Sequence, residues 1–354
     1  GREYRPGLPP EGDTYTRGTP NVWSLTSADE ELGLIYLPTG NATPDYYGGH
    51  RSEAMEEYSS SIVALDARTG RVRWHFQTTH HDIFDYDVPS QPSLVDIPIN
   101  GEVRKAVIVP TKRAEVFVFD RETGEPLTEI AEIPVPQTDL PDETSSPTQP
   151  FSVGMPSFAR GYIREADMWG ITPFDHALCR IQYQNLRYEG PLTPPSTGGS
   201  LLYPGVGGGM NWGSVAIDEV NHLMVVNVMH NPNIVRLYPQ DELTGEEQFG
   251  IGGTQSGTPY AAYSFFFLSS IFTPCWSPPY GEMAVVDLAS QEVLWQRGLG
   301  TAKDQGPLGI PSGLPLPMGM FYNAGSMVTG GGLIFNGGVA DSTMRAINVY
   351  NGEE

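Results

Sequence analysis

One phrase recurs along this chain, and it limits the fold more than any other feature. Ser61-Ile62-Val63-Ala64-Leu65-Asp66 runs into Ala67-Arg68-Thr69-Gly70 and on to Trp74. Val116-Phe117-Val118-Phe119-Asp120 runs into Arg121-Glu122-Thr123-Gly124. Met283-Ala284-Val285-Val286-Asp287 leads through Ser290 and Gln291 to Trp295, and Met344-Arg345-Ala346-Ile347-Asn348 leads to Asn351, Gly352 and Glu353. The shared pattern is an apolar strand, an Asp/Asn-x-x-Thr-Gly turn and a second strand that opens with Trp or a similar residue; the last copy stops at its turn. Alternation with period two makes the strands, and Asp with Gly makes the tight turn. Repetition on this scale points to a blade architecture. The unit is the outer hairpin of a four-stranded propeller blade.

An inner hairpin precedes each copy, at 21–38, 106–110, 212–227 and 326–336. Four blades follow, at about 19–79, 85–135, 205–300 and 318–354. The stretch at about 128–204 breaks the repeat as an insert with a short helix near 165–188, and a second long loop covers about 238–279. Such inserts gather on one face of a propeller, where substrates enter. The expected fold is all-β: a β-propeller of about four blades, half of a presumed eight-bladed ring, with long inserted loops.

Composition narrows the partners. The 354 residues suffice for a large core, and the 41 Gly and 32 Pro have no short period, which excludes collagen. A net charge of −22 makes nucleic acid and anionic lipid poor partners. The two cysteines, Cys179 and Cys275, form no CxxC or Cys/His cluster, so a zinc site is not expected; the free, buried state is the expectation for both. No run of 18 apolar residues and no signal peptide are present, and the polar start, GREYRPGLPPEGDTYTRG, reads as irregular and as beginning inside a longer protein.

The densest polar cluster is His80-His81-Asp82-Ile83-Phe84-Asp85-Tyr86-Asp87, directly after an outer strand. Three carboxylates and two histidines can bind a metal or supply a general base, or can form a solvated inter-blade loop. Asn41, after the strand 34–37, can give an amide oxygen to a hard cation or form an Asx-turn. Trp23 reads as core or as a flat platform, Lys112 as facing an anionic ligand or solvent, and Asn227 as a turn residue. These residues sit at inner-strand ends or junctions of different blades, as a site in the central funnel requires.

The segments TPNVWSL, GLIYLPTGNATPDYYGG, YSSSIVALDARTGRVRWHFQTTHHDIFDYDVPSQP, PTKRAEVFVFDRETGEP, EADMWGITPFDHALCRIQY and NWGSVAID resemble pyrroloquinoline-quinone (PQQ)-dependent membrane-bound dehydrogenases of the glucose and quinate/shikimate group. The resemblance covers nearly the whole chain and implies about the second half of an eight-bladed propeller. It implies that Trp23 stacks under the quinone, that Thr43, Lys112 and Asn227 contact the cofactor, and that Asn41 binds a Ca²⁺ or Mg²⁺ ion. It makes Asp85, rather than Asp82, the catalytic base; Asp85 lies 62 residues after Trp23 and 27 before Lys112. Asp85 and Asp87 join Asn41 as metal ligands, and the Asp-Tyr-Asp pair is similar to that of lanthanide-using relatives, with Ca²⁺ kept first. The implied reaction oxidises a sugar or cyclic polyol, glucose or quinate/shikimate. Its electrons pass to ubiquinone through an N-terminal membrane domain at the periplasmic face of the inner membrane. A glutamate metal ligand belongs to earlier blades, so this chain alone is expected to bind PQQ weakly or not at all and to be inactive. The competing expectation is a non-catalytic propeller scaffold, which shares the hairpins but has no use for Asn41, Asp85 and Lys112 in register.

Overall fold

The computed structural model describes residues 20–99, 101–244, 251–255 and 257–354. The N-terminal segment read as irregular, residues 1–18, and the first residue of the first expected blade lie outside these. Strand follows strand in chain order within each of four antiparallel sheets. The first holds Ser27–Asp29, Leu34–Pro38, Ser61–Asp66 and Val72–Gln77; the second Ser93–Ile99, Glu102–Pro110 and Val116–Asp120. The third holds Val215–Asp218, Leu223–Met229, Gly281–Asp287 and Glu292–Gly298; the fourth Ser326–Val328, Leu333–Asn336 and Arg345–Asn348. The opening strands pack on one another in succession, first sheet to second, second to third and third to fourth. They form the inner arc of a set of blades, as a propeller requires.

Alternation explains the stacking. Val107, Val109, Phe117 and Phe119 of the second sheet point to the first, where they meet Tyr36, Ile62 and Ala64. Their neighbours Ala106, Ile108, Val116 and Val118 point the other way, onto Met224, Val226 and Val286 of the third. A sheet buried on both faces therefore reads as a nearly continuous apolar run.

The recurrent turn makes the blade-to-blade joint. Asp66 Oδ1 accepts from the Thr69 N–H at 2.8 Å and the Thr69 hydroxyl at 2.7 Å, and Gly70 takes φ +68°. Asp120 does the same for Thr123, with Gly124 at φ +77°. Trp74 Nε1 of the first sheet then donates to Arg121 O at 3.2 Å, with its ring against Gly124, where a Cβ would fall 2.6 Å from the indole. Trp295 of the third sheet repeats this on the fourth, donating to Val349 O at 2.8 Å beside Gly352. The glycine thus serves twice: it adopts the left-handed turn and admits the neighbouring blade's indole.

The inserts hold more structure than their composition announces. The expected helix forms at Pro173–Gln184, started by proline and capped by the Thr172 hydroxyl, which accepts from the Asp175 N–H. The expected loop at 238–279 carries strands Ile251–Gly253 and Tyr260–Phe266, which join Ser200–Leu202 and Asn233–Pro239 in a further four-stranded sheet. Ala131–Pro134 and Thr148–Phe151 pair as a separate hairpin.

The expectation of free cysteines is overturned: Cys179 and Cys275 form a disulfide across 96 residues. Cys179 lies in the insert helix, and the Trp169 N–H donates to Cys275 O at 2.9 Å, which docks the two segments together. Among the described residues no helix is long and apolar enough to cross a membrane.

Closing a loop of this length restricts the unfolded chain, a contribution of about 2–5 kcal/mol. The double substitution C179S/C275S is expected to lower the thermal midpoint by several degrees, measured by circular dichroism with and without reductant. Reductant is expected to lower the wild-type midpoint and leave the variant unchanged.

Candidate functional site

The candidate residues converge where the inner strands of the first two sheets end. Lys112 lies two residues past Glu102–Pro110, and its side chain is only 7 % exposed. Its Nζ stands 2.9 Å from Asp85 Oδ1 and 2.7 Å from Asp87 Oδ2. One buried ammonium thus bridges the two carboxylates that the Asp-Tyr-Asp spacing holds on one side of the loop. Burial alone would lower the Lys112 pKa, but the two carboxylates outweigh it and keep the ammonium charged. Burial pushes Asp85 well above the ordinary carboxylate range; Lys112 opposes the shift, while Asp87 and Asp45 add to it.

Asn41 is fixed from the other side. Its backbone N–H donates to Asp87 Oδ1, and its Nδ2 donates to Asp45 O at 3.0 Å. With the amide nitrogen engaged, Oδ1 is buried and has no partner among the described residues. A buried amide oxygen in that state carries a desolvation cost, which a cation beside Asp87 would remove. Next to it, Gly40 is a cradle: a Cβ there would fall 3.0 Å from Asp87 Oδ1 and 3.2 Å from Trp23 Nε1. The Nε1 edge of the Trp23 indole lies against Gly40, and the residue is 45 % exposed. Gly208, at φ +71°, lies against the Lys112 backbone, and the Gly209 N–H donates to Lys112 O at 2.7 Å.

The structure therefore brings together Trp23, Asn41, Asp85, Asp87 and Lys112. Thr43 is exposed, two residues past Asn41 and before the cis peptide to Pro44. The Asn227 amide is engaged elsewhere. Its Nδ2 donates to Ala324 O at 2.8 Å and its Oδ1 accepts from the Ser326 hydroxyl at 3.0 Å. It joins the third sheet to the fourth.

Three features escaped the sequence reading: Asp45, the partners of His81, and a cavity. Asp45 sits within electrostatic reach of Asp87 and Lys112, with its pKa raised first by burial and then by Asp87. Its one signal was a carboxylate four residues past a candidate ligand. His81 lies between Glu56, at 3.2 Å, and Glu143, at 3.0 Å, and Arg51 completes the cluster at 3.3 Å from Glu56. Burial lowers the His81 pKa, but the hydrogen bonds that its ring donates to Glu143 and Glu56 outweigh it and raise it to about 9. Finally, an apolar cavity of about 710 Å³ opens behind the glycine loop, lined by Gly207, Trp169, Phe266 and Phe321. Tyr280 and Asn231 line it too, and the Tyr280 hydroxyl and Asn231 Oδ1 are buried with no partner among the described residues. No group of three or more His, Cys, Asp or Glu among the described residues makes a metal site by itself; the donors available here are one amide and two carboxylates.

Comparison with known proteins gives a consistent answer. A family model described as "PQQ: Glucose/ethanol/alcohol dehydrogenase, beta-propeller domain" matches residues 2–354. The chain is 42 % identical to quinate/shikimate dehydrogenase (quinone) of Acinetobacter baylyi, over 97 % of this chain and 44 % of that protein. It is 38 % identical to quinoprotein glucose dehydrogenase of Escherichia coli, over 98 % of this chain and 45 % of that protein. It thus spans about half the length of the curated relatives it matches. Among solved structures, quinohemoprotein alcohol dehydrogenase from Comamonas testosteroni superposes with a TM-score of 0.58 at 23 % identity, covering 95 % of this chain and 40 % of that one, which bears on the fold.

The His81 cluster has a pH signature. A histidine raised from 6.5 to about 9 on folding adds stability that is complete below pH 6.5 and is lost as pH rises through 9. The ceiling is about 3 kcal/mol. His81→Gln is expected to lower the thermal midpoint at pH 6 and to flatten its decline between pH 6.5 and 9.5, read by calorimetry across that range.

Proposed function

The chain belongs to the PQQ-dependent glucose/ethanol/alcohol dehydrogenase β-propeller family; from that premise we propose that it carries the catalytic side of a quinoprotein dehydrogenase. The reading is that this enzyme oxidises a hydroxyl of a sugar or cyclic polyol, glucose or quinate/shikimate, and delivers the electrons to ubiquinone. One observation carries it: Lys112 bridges Asp85 and Asp87 beside an orphaned Asn41 amide oxygen, under an exposed indole. A scaffold has no use for this arrangement.

The residues fit the groups this family uses. Asn41 Oδ1, Asp85 and Asp87 form an all-oxygen donor set for a hard divalent ion, Ca²⁺ first and Mg²⁺ second. The half-exposed Trp23 beside Gly40, with the exposed Thr43 two residues past Asn41 and Lys112 bound to Asp87, suits a flat, anionic ring system such as PQQ. When bound, PQQ would supply the hydride acceptor and the ion a Lewis acid. The chain's residues do the rest. Asp85 takes the proton of the substrate hydroxyl, and burial makes it a stronger base than a surface carboxylate. Lys112 opposes the upward shift of Asp85, and a cation that Asn41 and Asp87 would hold would favour its ionised form further. Lys112, with a third ammonium hydrogen beyond those turned to Asp85 and Asp87, would donate a hydrogen bond to negative charge that develops beside it. Asn227 holds the funnel wall through Ala324 and Ser326.

Two features support the partner and the location. The cavity beside Gly207 is apolar and aromatic, with an unpartnered hydroxyl and amide oxygen, which suits a quinone ring with its carbonyl or hydroxyl edge. The Cys179–Cys275 disulfide suits an oxidising compartment such as the periplasm, at the face of the inner membrane.

Asp85→Asn in the full-length protein, supplied with PQQ and Ca²⁺, is expected to lower kcat for quinate or glucose by about 10²–10⁴-fold, with KM little changed. Unchanged turnover removes the assignment. Tyr280→Phe is expected to raise KM for a short-chain ubiquinone several-fold, while reduction of a soluble dye by the same enzyme stays at the wild-type rate.

A further inference from the structure

Asp82 is the acid that the reaction leaves unused, and both of its carboxylate oxygens accept hydrogen bonds. It is fully buried. Its Oδ1 accepts from the Phe84 N–H at 2.8 Å. Its Oδ2 accepts from the Tyr86 N–H at 2.8 Å and from the Ser60 hydroxyl at 2.5 Å. The two backbone donors are those immediately before and after Asp85, and Asp85 itself has φ +63°. A side chain at that φ is disfavoured on its own, and persists where its surroundings over-determine it.

We propose that Asp82 is a positioning residue: its carboxylate clamps the backbone on both sides of Asp85, holds Asp85 in the left-handed conformation and so delivers the Asp85 carboxylate to Lys112. The inference rests on the reading of Asp85 as the base.

The surroundings of the clamp are equally fixed. The Arg51 guanidinium, with no exposed side-chain surface, donates to Asp82 O at 2.7 Å and to Pro44 O at 2.6 Å. It thereby ties the Asp82 loop to the turn that follows Asn41. The Tyr86 hydroxyl donates to Pro204 O, which anchors the far end of the loop to the segment leading into the glycine loop behind Lys112. Between these anchors the chain has one place to turn, and Asp82 supplies the acceptors for that turn. Without them the Phe84 and Tyr86 N–H groups lose their partners. Residue 85 can then relax to negative φ, which carries its carboxylate away from the ammonium 2.9 Å distant. Asp82 touches none of the reacting groups; its effect passes through Asp85.

Asp82→Asn is the test in the full-length protein, because the isosteric amide sets an N–H₂ against one of the two backbone donors. The expected result is a 30- to 100-fold loss of kcat with substrate KM within about threefold of wild type. In an Asp85→Asn background the same change is expected to cost nothing further. A second readout needs no cofactor: acetylation of Lys112 by acetic anhydride, quantified by mass spectrometry, is expected to be several-fold faster in Asp82→Asn. Wild-type kcat in Asp82→Asn, or a loss that multiplies with that of Asp85→Asn, overturns the proposal. If Asp82→Asn does not fold, Ser60→Ala decides. A three- to tenfold loss of kcat at unchanged KM supports the clamp, and wild-type kcat overturns it. Full turnover in Asp85→Asn would instead sink the assignment of the base and is told apart by that variant alone.

Discussion

The site turns on a single electrostatic constraint: a lysine and two aspartates share a mostly buried space, and none of the three is tolerable there without the others. Each ion taken out of water costs several kcal/mol, and two neighbouring carboxylates add repulsion. Lys112 offsets both by reaching Asp85 and Asp87 at once. Removing it would leave two like charges facing each other, a loss on the order of 3–5 kcal/mol. Much of the surrounding chain serves this contact. Gly40 keeps room beside Asp87, Gly208 keeps room beside Lys112, and Asn41 donates its N–H to Asp87 while its amide oxygen stays unpaired. A cation would relieve that amide and share the carboxylates with Lys112.

That constraint is met because the blades stand in a fixed relation. Trp74 and Trp295 each reach from one sheet to the Asp/Asn-turn-Gly corner of the next. The outer corners are thereby locked, and two-sided apolar strands fill the space between sheets. The inner-strand ends then have little freedom. Asn41, Asp85 and Lys112 come from different strand ends, yet meet in one place because the spacing between sheets is set elsewhere.

The sequence spelled out the parts of the fold that repeat. The Asp-x-x-Thr-Gly turn, the period-two strands and the following Trp each have a local physical cause, so they could be read without partners. Asp85, Asp87, Lys112, Asn41 and Trp23 could be singled out because their register resembles a known pattern, and the structure places them near one another; their roles remain the proposal made above. What stayed hidden depends on distance along the chain. The Cys179–Cys275 bond joins a helix to a loop 96 residues away. Tyr260–Phe266 pairs back onto Asn233–Pro239, and Ile251–Gly253 then pairs with it from within the expected loop. His81 gave no sign of its two carboxylates, since Glu56 and Glu143 come from separate segments. Nor could the hydrogen bonds of Asn227 to Ala324 and Ser326 in the next blade be read from the sequence.

The most direct test of the account is a crystal structure of the full-length protein with PQQ and Ca²⁺ bound. The account predicts the ion within about 2.3–2.6 Å of Asn41 Oδ1 and of oxygens from Asp85 and Asp87. It also predicts the quinone plane on the Trp23 indole, with Lys112 at its edge. An ion bound away from Asn41 and the two aspartates, or a quinone that does not touch Trp23, would contradict it.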